Sequence, residues 1–177
     1  MTFRKPVLGF AAFSGTGKTT LLIRLIPFLE QRGVRVALIK HAHHDFDIDK
    51  PGKDSYELRK AGARQVLVAS DRRSALITEN AAPKEPQLDD LVARLALDAV
   101  DLVLVEGFRH VPFSKIELHR PSLKQPLLCH EDASIIAVAT DAHLNMNPLP
   151  RLDLNNTAMI GEFILKWMDA HSHLCTN

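Results

Sequence analysis

The sequence has little of what marks several common protein classes. It holds only two cysteines, Cys129 and Cys175, without CxxC spacing, so neither a disulfide framework nor a zinc ribbon is indicated. Its formal net charge is +1, so no global electrostatic field favours nucleic acid or a membrane surface as a partner. No segment approaches the roughly 20 apolar residues that a membrane-spanning helix needs. We therefore expect a cytoplasmic protein, without a nucleic-acid or membrane partner, whose anion binding is local.

The length of the chain fits a single domain. Its 177 residues are 46% hydrophobic, which is enough to build a core of two or three layers. We expect one domain over residues 1–177, with residues 171–177 as a disordered tail.

Apolar runs of strand length alternate along the chain with segments of helical spacing. This order predicts an α/β fold with a mostly parallel sheet, helices on both faces and ligands at the carboxyl ends of the strands. Residues 65–70 and 74–78 predict an added antiparallel hairpin. Residues 115–120 alternate between polar and apolar, which predicts an edge strand, whereas the apolar run 135–139 predicts a central one.

The first apolar run leads into a phosphate-binding motif. The pattern G-x-x-x-x-G-K-[ST] is matched except at its first glycine, where Ala12 predicts an ordinary negative φ. It lies between a predicted strand and a predicted helix, the context in which backbone N–H groups and a helix N-terminus cradle phosphates. Lys18 then reaches the β- and γ-phosphates, and the Thr19 hydroxyl binds Mg²⁺. The predicted nucleotide contacts in this loop are Ala12, Phe13, Ser14, Gly15, Thr16, Gly17, Lys18, Thr19 and Thr20.

A carboxylate and a glycine end the apolar strand that starts near Asp101. Glu106, at the carboxyl end of this strand, is the candidate second Mg²⁺ ligand and, with Lys18, a candidate catalytic residue. Gly107 lets the backbone pass close to a γ-phosphate. The alternative is an ordinary strand-end carboxylate, while Asp101 itself is expected to begin the strand.

The polar segment 40–54 follows the second strand and is rich in histidine and carboxylates. His41, His43, His44 and several carboxylates, Asp45 among them, suggest a transition-metal site, but adjacent histidines lack the usual ligand spacing of zinc sites. A second interpretation is a mobile loop that meets Mg²⁺-nucleotide or an anionic partner. A third is a solvated charged loop. The nucleotide-contact candidates of the second interpretation are Lys40, His41, Asp49 and Lys53.

Base recognition has a weaker signal. The Asn-Lys-x-Asp segment found in many guanine-binding proteins is missing from the sequence, and its nearest substitute is Asp141, after the apolar run 135–139. An ordinary strand-end turn is the alternative interpretation of Asp141.

Taken together, these segments resemble the family of molybdopterin-guanine dinucleotide biosynthesis adapter proteins, MobB. The resemblance is dense from residue 9 to residue 106. It is carried by Phe-Ser-Gly-Thr-Gly-Lys-Thr-Thr-Leu-Leu (13–22), Leu-Ile-Lys-His-x-His-His-Asp (38–45), Asp-Lys-Pro-Gly-Lys-Asp-Ser-Tyr (49–56), Ala-Gly-Ala (61–63) and Leu-Val-Glu-Gly-Phe (104–108).

The resemblance implies a P-loop NTPase fold and a GTP-binding adapter with weak Mg²⁺-dependent GTPase activity. It also implies a homodimer that assists the guanylyltransferase MobA, which joins GMP to molybdopterin in the guanine dinucleotide form of molybdenum cofactor. The residues alone leave two alternatives open, a P-loop small-molecule kinase with Arg72 and Arg73 in a lid, and an ATPase.

Overall fold

The computed structural model describes residues 3–42 and 46–172, which form two compact units. The first unit comprises the chain up to His41 and from Gln87 onward, and the second comprises Ala42–Pro86. A single domain over residues 1–177 stays a prediction.

A six-stranded sheet forms the centre of the first unit. Its strands are β1 (Val7–Ala12), β2 (Val36–Lys40), β5 (Leu102–Glu106), β6 (Lys115–His119), β7 (Ile135–Thr140) and β8 (Arg151–Asp153). They lie in the order β2-β5-β1-β6-β7-β8, and every neighbouring pair is parallel. From β1 the chain continues to β2 on one side, and from β6 it continues to β7 on the other side. The loop after β1 therefore lies where the strand order reverses, which is the place where α/β sheets bind ligands.

Helices cover both faces of this sheet, as predicted. On one face, α1 (Lys18–Glu30) and α4 (Thr157–Ser172) pack on alternate apolar residues of the strands, including Leu8 and Leu104. On the other face, the short helix α3 (Leu88–Ala93) packs on the intervening residues. The central strands are therefore buried on both sides, which explains their continuous apolar sequences.

The prediction that residues 115–120 form an edge strand is wrong. β6 lies between β1 and β7, and all five of its residues are buried. Its polar residues have internal partners: the Lys115 ammonium donates to the carbonyls of Arg109 and Val111 and pairs with Asp132 at 2.9 Å. Glu117 accepts two backbone hydrogen bonds of 2.8 Å from residues 128 and 129. The polar residues of this alternating pattern are therefore buried groups with hydrogen-bond partners and not solvent-exposed side chains. The prediction of a central strand at 135–139 is confirmed, since β7 pairs on both sides.

An arginine–aspartate pair ties the amino ends of β2 and β5 together. The Arg35 guanidinium donates to both carboxylate oxygens of Asp101, at 2.8 and 2.7 Å. These hydrogen bonds lower the pKa of Asp101 to about 2. Asp101 directly precedes the strand, within one residue of the predicted start, and its partner Arg35 was not predicted.

The second unit contains a helix and the predicted antiparallel hairpin. The helix α2 spans Asp54–Lys60, and β3 (Gln65–Ala69) pairs with β4 (Ser74–Thr78). The hairpin turn holds Arg72 and Arg73, whose backbone N–H groups donate to the Ser70 hydroxyl at 3.2 Å.

The chain ends in the long helix α4. His171 and Ser172, predicted to begin a disordered tail, belong to this helix, and residues 173–177 lie outside the described part of the chain. Within residues 3–42 and 46–172, no helix combines the length and the apolar character that crossing a membrane requires.

Candidate functional site

The loop between β1 and α1 has the geometry of an anion cradle. Gly15 and Gly17 have φ of 82° and 98°, left-handed conformations that glycine adopts without a steric penalty. Between them, the buried Thr16 folds the loop back, since its hydroxyl donates to the Phe13 carbonyl at 2.7 Å. Lys18 begins α1, so the loop ends at a helix N-terminus, where unpaired N–H groups and the helix dipole favour an anion.

Ala12 does not disturb this geometry. It is the last residue of β1, and it is not among the described residues with positive φ, so the expectation of an ordinary φ is confirmed. Ser14, Thr19 and Thr20 are exposed, and Phe13, Gly17 and Lys18 are half-buried.

Glu106 lies between two lysines at the carboxyl edge of the sheet. Its two carboxylate oxygens are each 3.7 Å from an ammonium nitrogen, one from Lys18 and the other from Lys40. The Lys40 contact follows from the register, because Lys40 of β2 is paired with Glu106 of β5. Only 14% of the Glu106 side chain is exposed, so this carboxylate faces the loop rather than open solvent. The structure therefore brings together the predicted residues Lys18, Lys40 and Glu106.

The backbone after Glu106 is tightly constrained. Gly107 has φ of 104°, and a Cβ at this position would lie 2.5 Å from the Cβ of His41, closer than any real contact. The His41 N–H donates to the Glu106 carbonyl at 2.8 Å, and its ring stacks on Phe108 with centroids 4.6 Å apart. Phe108 itself has a positive φ of 54°, an uncommon conformation for a non-glycine residue. Such strain clusters at functional sites, and here it directly follows Glu106 in the chain.

The donors at this edge suit Mg²⁺ better than a transition metal. The Thr19 hydroxyl and the Glu106 carboxylate offer oxygen donors, and Mg²⁺ is typically held by one or two carboxylates together with phosphates and water; their role as metal ligands stays a prediction. Within the described residues, no group of three or more histidine, cysteine or carboxylate side chains could hold a metal ion. His43, His44 and Asp45 of the zinc hypothesis lie outside that part of the chain.

Two of the predicted contacts belong to the second unit. Asp49 pairs there with the buried Arg59 at 2.9 Å, and Arg59 also pairs with Asp47 and Glu79. Lys53 is exposed and precedes α2. The nucleotide contacts of Asp49 and Lys53 stay predictions.

Two arginines that sequence analysis missed lie beside the phosphate loop. The Arg120 guanidinium donates through Nε to the Thr16 carbonyl at 2.9 Å, and it pairs with Asp141, the candidate base-contact residue. The Arg109 guanidinium lies 5.3 Å from the centroid of the Phe13 ring. The sequence signal for Arg120 is its position at the carboxyl end of β6. Because β6 was predicted to be an edge strand, Arg120 was not expected to lie near the loop after β1.

The sequence and the fold both match one protein family. The family model for molybdopterin guanine dinucleotide synthesis protein B, MobB, matches residues 7–141. A molybdopterin-guanine dinucleotide biosynthesis adapter protein of Escherichia coli (strain K12) is 51% identical over 164 residues, which cover 92% of this chain and 93% of the relative. An adapter protein of the same name from Haemophilus influenzae is 45% identical over 168 residues, or 95% and 92% of the two chains.

A solved structure agrees with these sequence matches. The crystal structure of a molybdopterin-guanine biosynthesis protein B superposes with a TM-score of 0.71 at 28% identity, covering 91% of this chain and 99% of that one. The expected P-loop fold and the expected family are thereby confirmed. The chain belongs to the molybdopterin guanine dinucleotide synthesis protein B family, the adapter proteins of molybdopterin-guanine dinucleotide biosynthesis.

Proposed function

We propose that this adapter binds GTP on the loop from Ala12 to Thr20, with its triphosphate in the cradle. The observation that supports this most strongly is the combination of two left-handed glycines, a helix N-terminus and the half-buried Lys18 within one loop. Backbone N–H groups would hold the phosphates, and Lys18 would exchange part of its pairing with Glu106 for the β- and γ-phosphate oxygens.

Mg²⁺ would bind beside the phosphates. The Thr19 hydroxyl and the Glu106 carboxylate supply its protein ligands in the proposal, and the metal would neutralise charge on the phosphate oxygens. Once a cation occupies this place, Glu106 has three positive neighbours, counting Lys18 and Lys40.

Slow hydrolysis is part of the proposal, because binding rather than turnover suits an adapter. Its partner would be the guanylyltransferase MobA, with molybdopterin as a further ligand of the complex, and the adapter would act as a homodimer in the cytoplasm. Lys50 and Lys53 are exposed cations that could meet an acidic partner surface or a pterin phosphate. Asp49 and Lys53 remain candidate nucleotide contacts, as does Asp141.

Calorimetric titration with GTP and ATP, with and without Mg²⁺, tests the nucleotide assignment. We expect GTP to bind more tightly than ATP, and Mg²⁺ to strengthen binding to the wild type much more than to Glu106→Gln or Thr19→Ala. Equal Mg²⁺ enhancement in Glu106→Gln would make Glu106 an ordinary strand-end carboxylate.

The adapter assignment has a separate test. Lys50 is exposed and is not among the candidate nucleotide contacts, so Lys50→Glu should weaken association with MobA and reduce its salt dependence, while GTP affinity stays unchanged. Hydrolysis should also stay slow in the presence of small hydroxylated metabolites, because a kinase gains its rate by aligning an acceptor with the γ-phosphate. Stoichiometric phosphorylation of such a metabolite would identify the protein as a kinase instead.

A further inference from the structure

Arg120 connects the phosphate loop to two loops at the carboxyl edge of the sheet. Its Nε donates to the Thr16 carbonyl at 2.9 Å, one terminal nitrogen pairs with Asp141 after β7, and the other donates to the Asn155 side chain at 3.3 Å after β8. The fork geometry of a guanidinium allows these three acceptors to be held at once. About 29% of the Arg120 side chain is exposed, so the group is largely enclosed by its partners.

The bond to Thr16 fixes the direction of a whole peptide unit. In a planar trans peptide, the C=O and the N–H point in opposite directions. When Arg120 holds the Thr16 carbonyl on its own side, the N–H of Gly17 must therefore point away from Arg120. Gly17 has φ of 98°, which permits this orientation just before α1 begins.

We propose that Arg120 is a positioning residue that aims the Gly17 N–H into the phosphate cradle, and that Asp141 and Asn155 hold Arg120 in place. The inference rests on the proposed triphosphate site. It gives Asp141 a role that requires no base contact, namely to orient the guanidinium. It also makes the loops after β7 and β8 contribute to phosphate affinity through Arg120.

Removing Asp141 separates this mechanism from simple electrostatics. Loss of a carboxylate near the cradle should strengthen anion binding if only charge matters. If Asp141 orients Arg120, the same change should weaken anion binding, because a guanidinium without its partner no longer fixes the Thr16–Gly17 peptide. The two explanations thus predict opposite signs.

The experiment measures the binding of inorganic triphosphate with Mg²⁺ by calorimetry, since this probe has no base that Asp141 could contact. We expect Asp141→Ala to weaken binding about tenfold, the factor that corresponds to ~1.4 kcal/mol. Arg120→Lys keeps the charge but loses the fork, and should weaken binding by a similar factor. Asn155→Ala, an exposed and mild change, should weaken it about threefold, as fits the loss of one weak hydrogen bond.

Asp101→Ala is the matched control, because it removes another carboxylate that accepts a guanidinium fork, at the opposite end of the sheet. It should leave triphosphate affinity unchanged. In Arg120→Ala, added guanidinium ion at millimolar concentration should restore part of the affinity, which a general loss of stability would not allow.

Three results bear on the inference in different ways. If the wild type binds triphosphate and Asp141→Ala binds it equally well or more tightly, Arg120 does not position the loop. Full affinity in Arg120→Lys would show that charge alone suffices and would also overturn the inference. Failure of the wild type to bind triphosphate would overturn the proposed phosphate site itself, and the inference with it.

Discussion

Gly107→Ala should destabilise the protein much more than an equivalent change at Gly33. Both glycines have a positive φ, 104° and 81°, where an L-residue costs about 1–2 kcal/mol. Alanine also restricts the unfolded chain in both variants, a stabilising effect of about 0.4–1 kcal/mol that cancels in the comparison. The sites differ in their surroundings. A Cβ at Gly33 has nothing within 4 Å, whereas one at Gly107 lies 2.5 Å from the Cβ of His41.

The close approach of residue 107 to His41 determines how much more Gly107→Ala costs than Gly33→Ala. Carbon atoms pack best about 3.5–4.0 Å apart, so Gly107 and His41 must separate by roughly 1 Å. The hydrogen bond from the His41 N–H to the Glu106 carbonyl, now 2.8 Å, would then stretch beyond normal hydrogen-bond length. Overpacking of this kind costs about 1–3 kcal/mol, so we expect Gly107→Ala to lose ~2 kcal/mol more than Gly33→Ala.

Urea unfolding, followed by the fluorescence of the single tryptophan Trp167 and by circular dichroism, measures both variants. His41→Gly removes the opposing Cβ, so in that background the excess cost of Gly107→Ala should fall to near zero. Equal destabilisation by Gly33→Ala and Gly107→Ala would refute the argument from close contact. So would an excess cost that persists when His41 is glycine.

Three further changes test the fold around the site. A Cβ on Gly161 would lie 2.2 Å from the Phe28 ring, so Gly161→Ala should lower the free energy of unfolding by ~2 kcal/mol in urea. Phe28→Ala removes that ring, so Gly161→Ala should cost less in the Phe28→Ala background than in the wild type. Asp132→Ala leaves the 1% exposed Lys115 ammonium without its carboxylate and should cost ~3 kcal/mol, more than the double change with Lys115→Met. The pKa of Asp101 is about 2 in the folded protein, below the usual 3.8 of an aspartate carboxyl. Its pairing therefore stabilises the fold above about pH 4, and this stabilisation is lost as pH falls through 2. Asp101→Asn should therefore cost about 1 kcal/mol at pH 7, after allowance for the solvent around a one-third exposed side chain, and much less at pH 2, where the carboxyl is already partly protonated, in unfolding curves measured at each pH.

Local sequence signals were sufficient to predict the loop between β1 and α1 and the strands around it. Three local features follow one another along the chain, namely the apolar run Val7–Ala12, the glycines and the amphipathic α1. Their hydrophobic periodicity and the spacing of the glycines identify them without information on tertiary contacts. The position of Glu106 near Lys18 could be predicted too, because the carboxyl ends of parallel strands meet at one edge of the sheet. Its role as a Mg²⁺ ligand stays a prediction.

The contribution of β6 could not be predicted from alternation. Lys115 and Glu117 are polar, yet their charges are met by loop carbonyls, backbone N–H groups and Asp132, partners that only the folded chain brings together. The error carried over to Arg120, which follows β6 and therefore reaches the loop beside β1. β8 was not predicted either, since its three residues are too few for a periodic signal.

The proposed function depends above all on phosphate binding by the loop from Ser14 to Thr19. The most direct test is calorimetric titration of the wild type and Lys18→Ala with Mg²⁺-GTP, with guanosine as the comparison ligand. Within GTP, Lys18 should contact only the phosphates. The variant should therefore lose at least tenfold in GTP affinity, or ~1.4 kcal/mol, and keep its affinity for guanosine. Equal GTP affinity in the wild type and the folded variant would contradict the assignment.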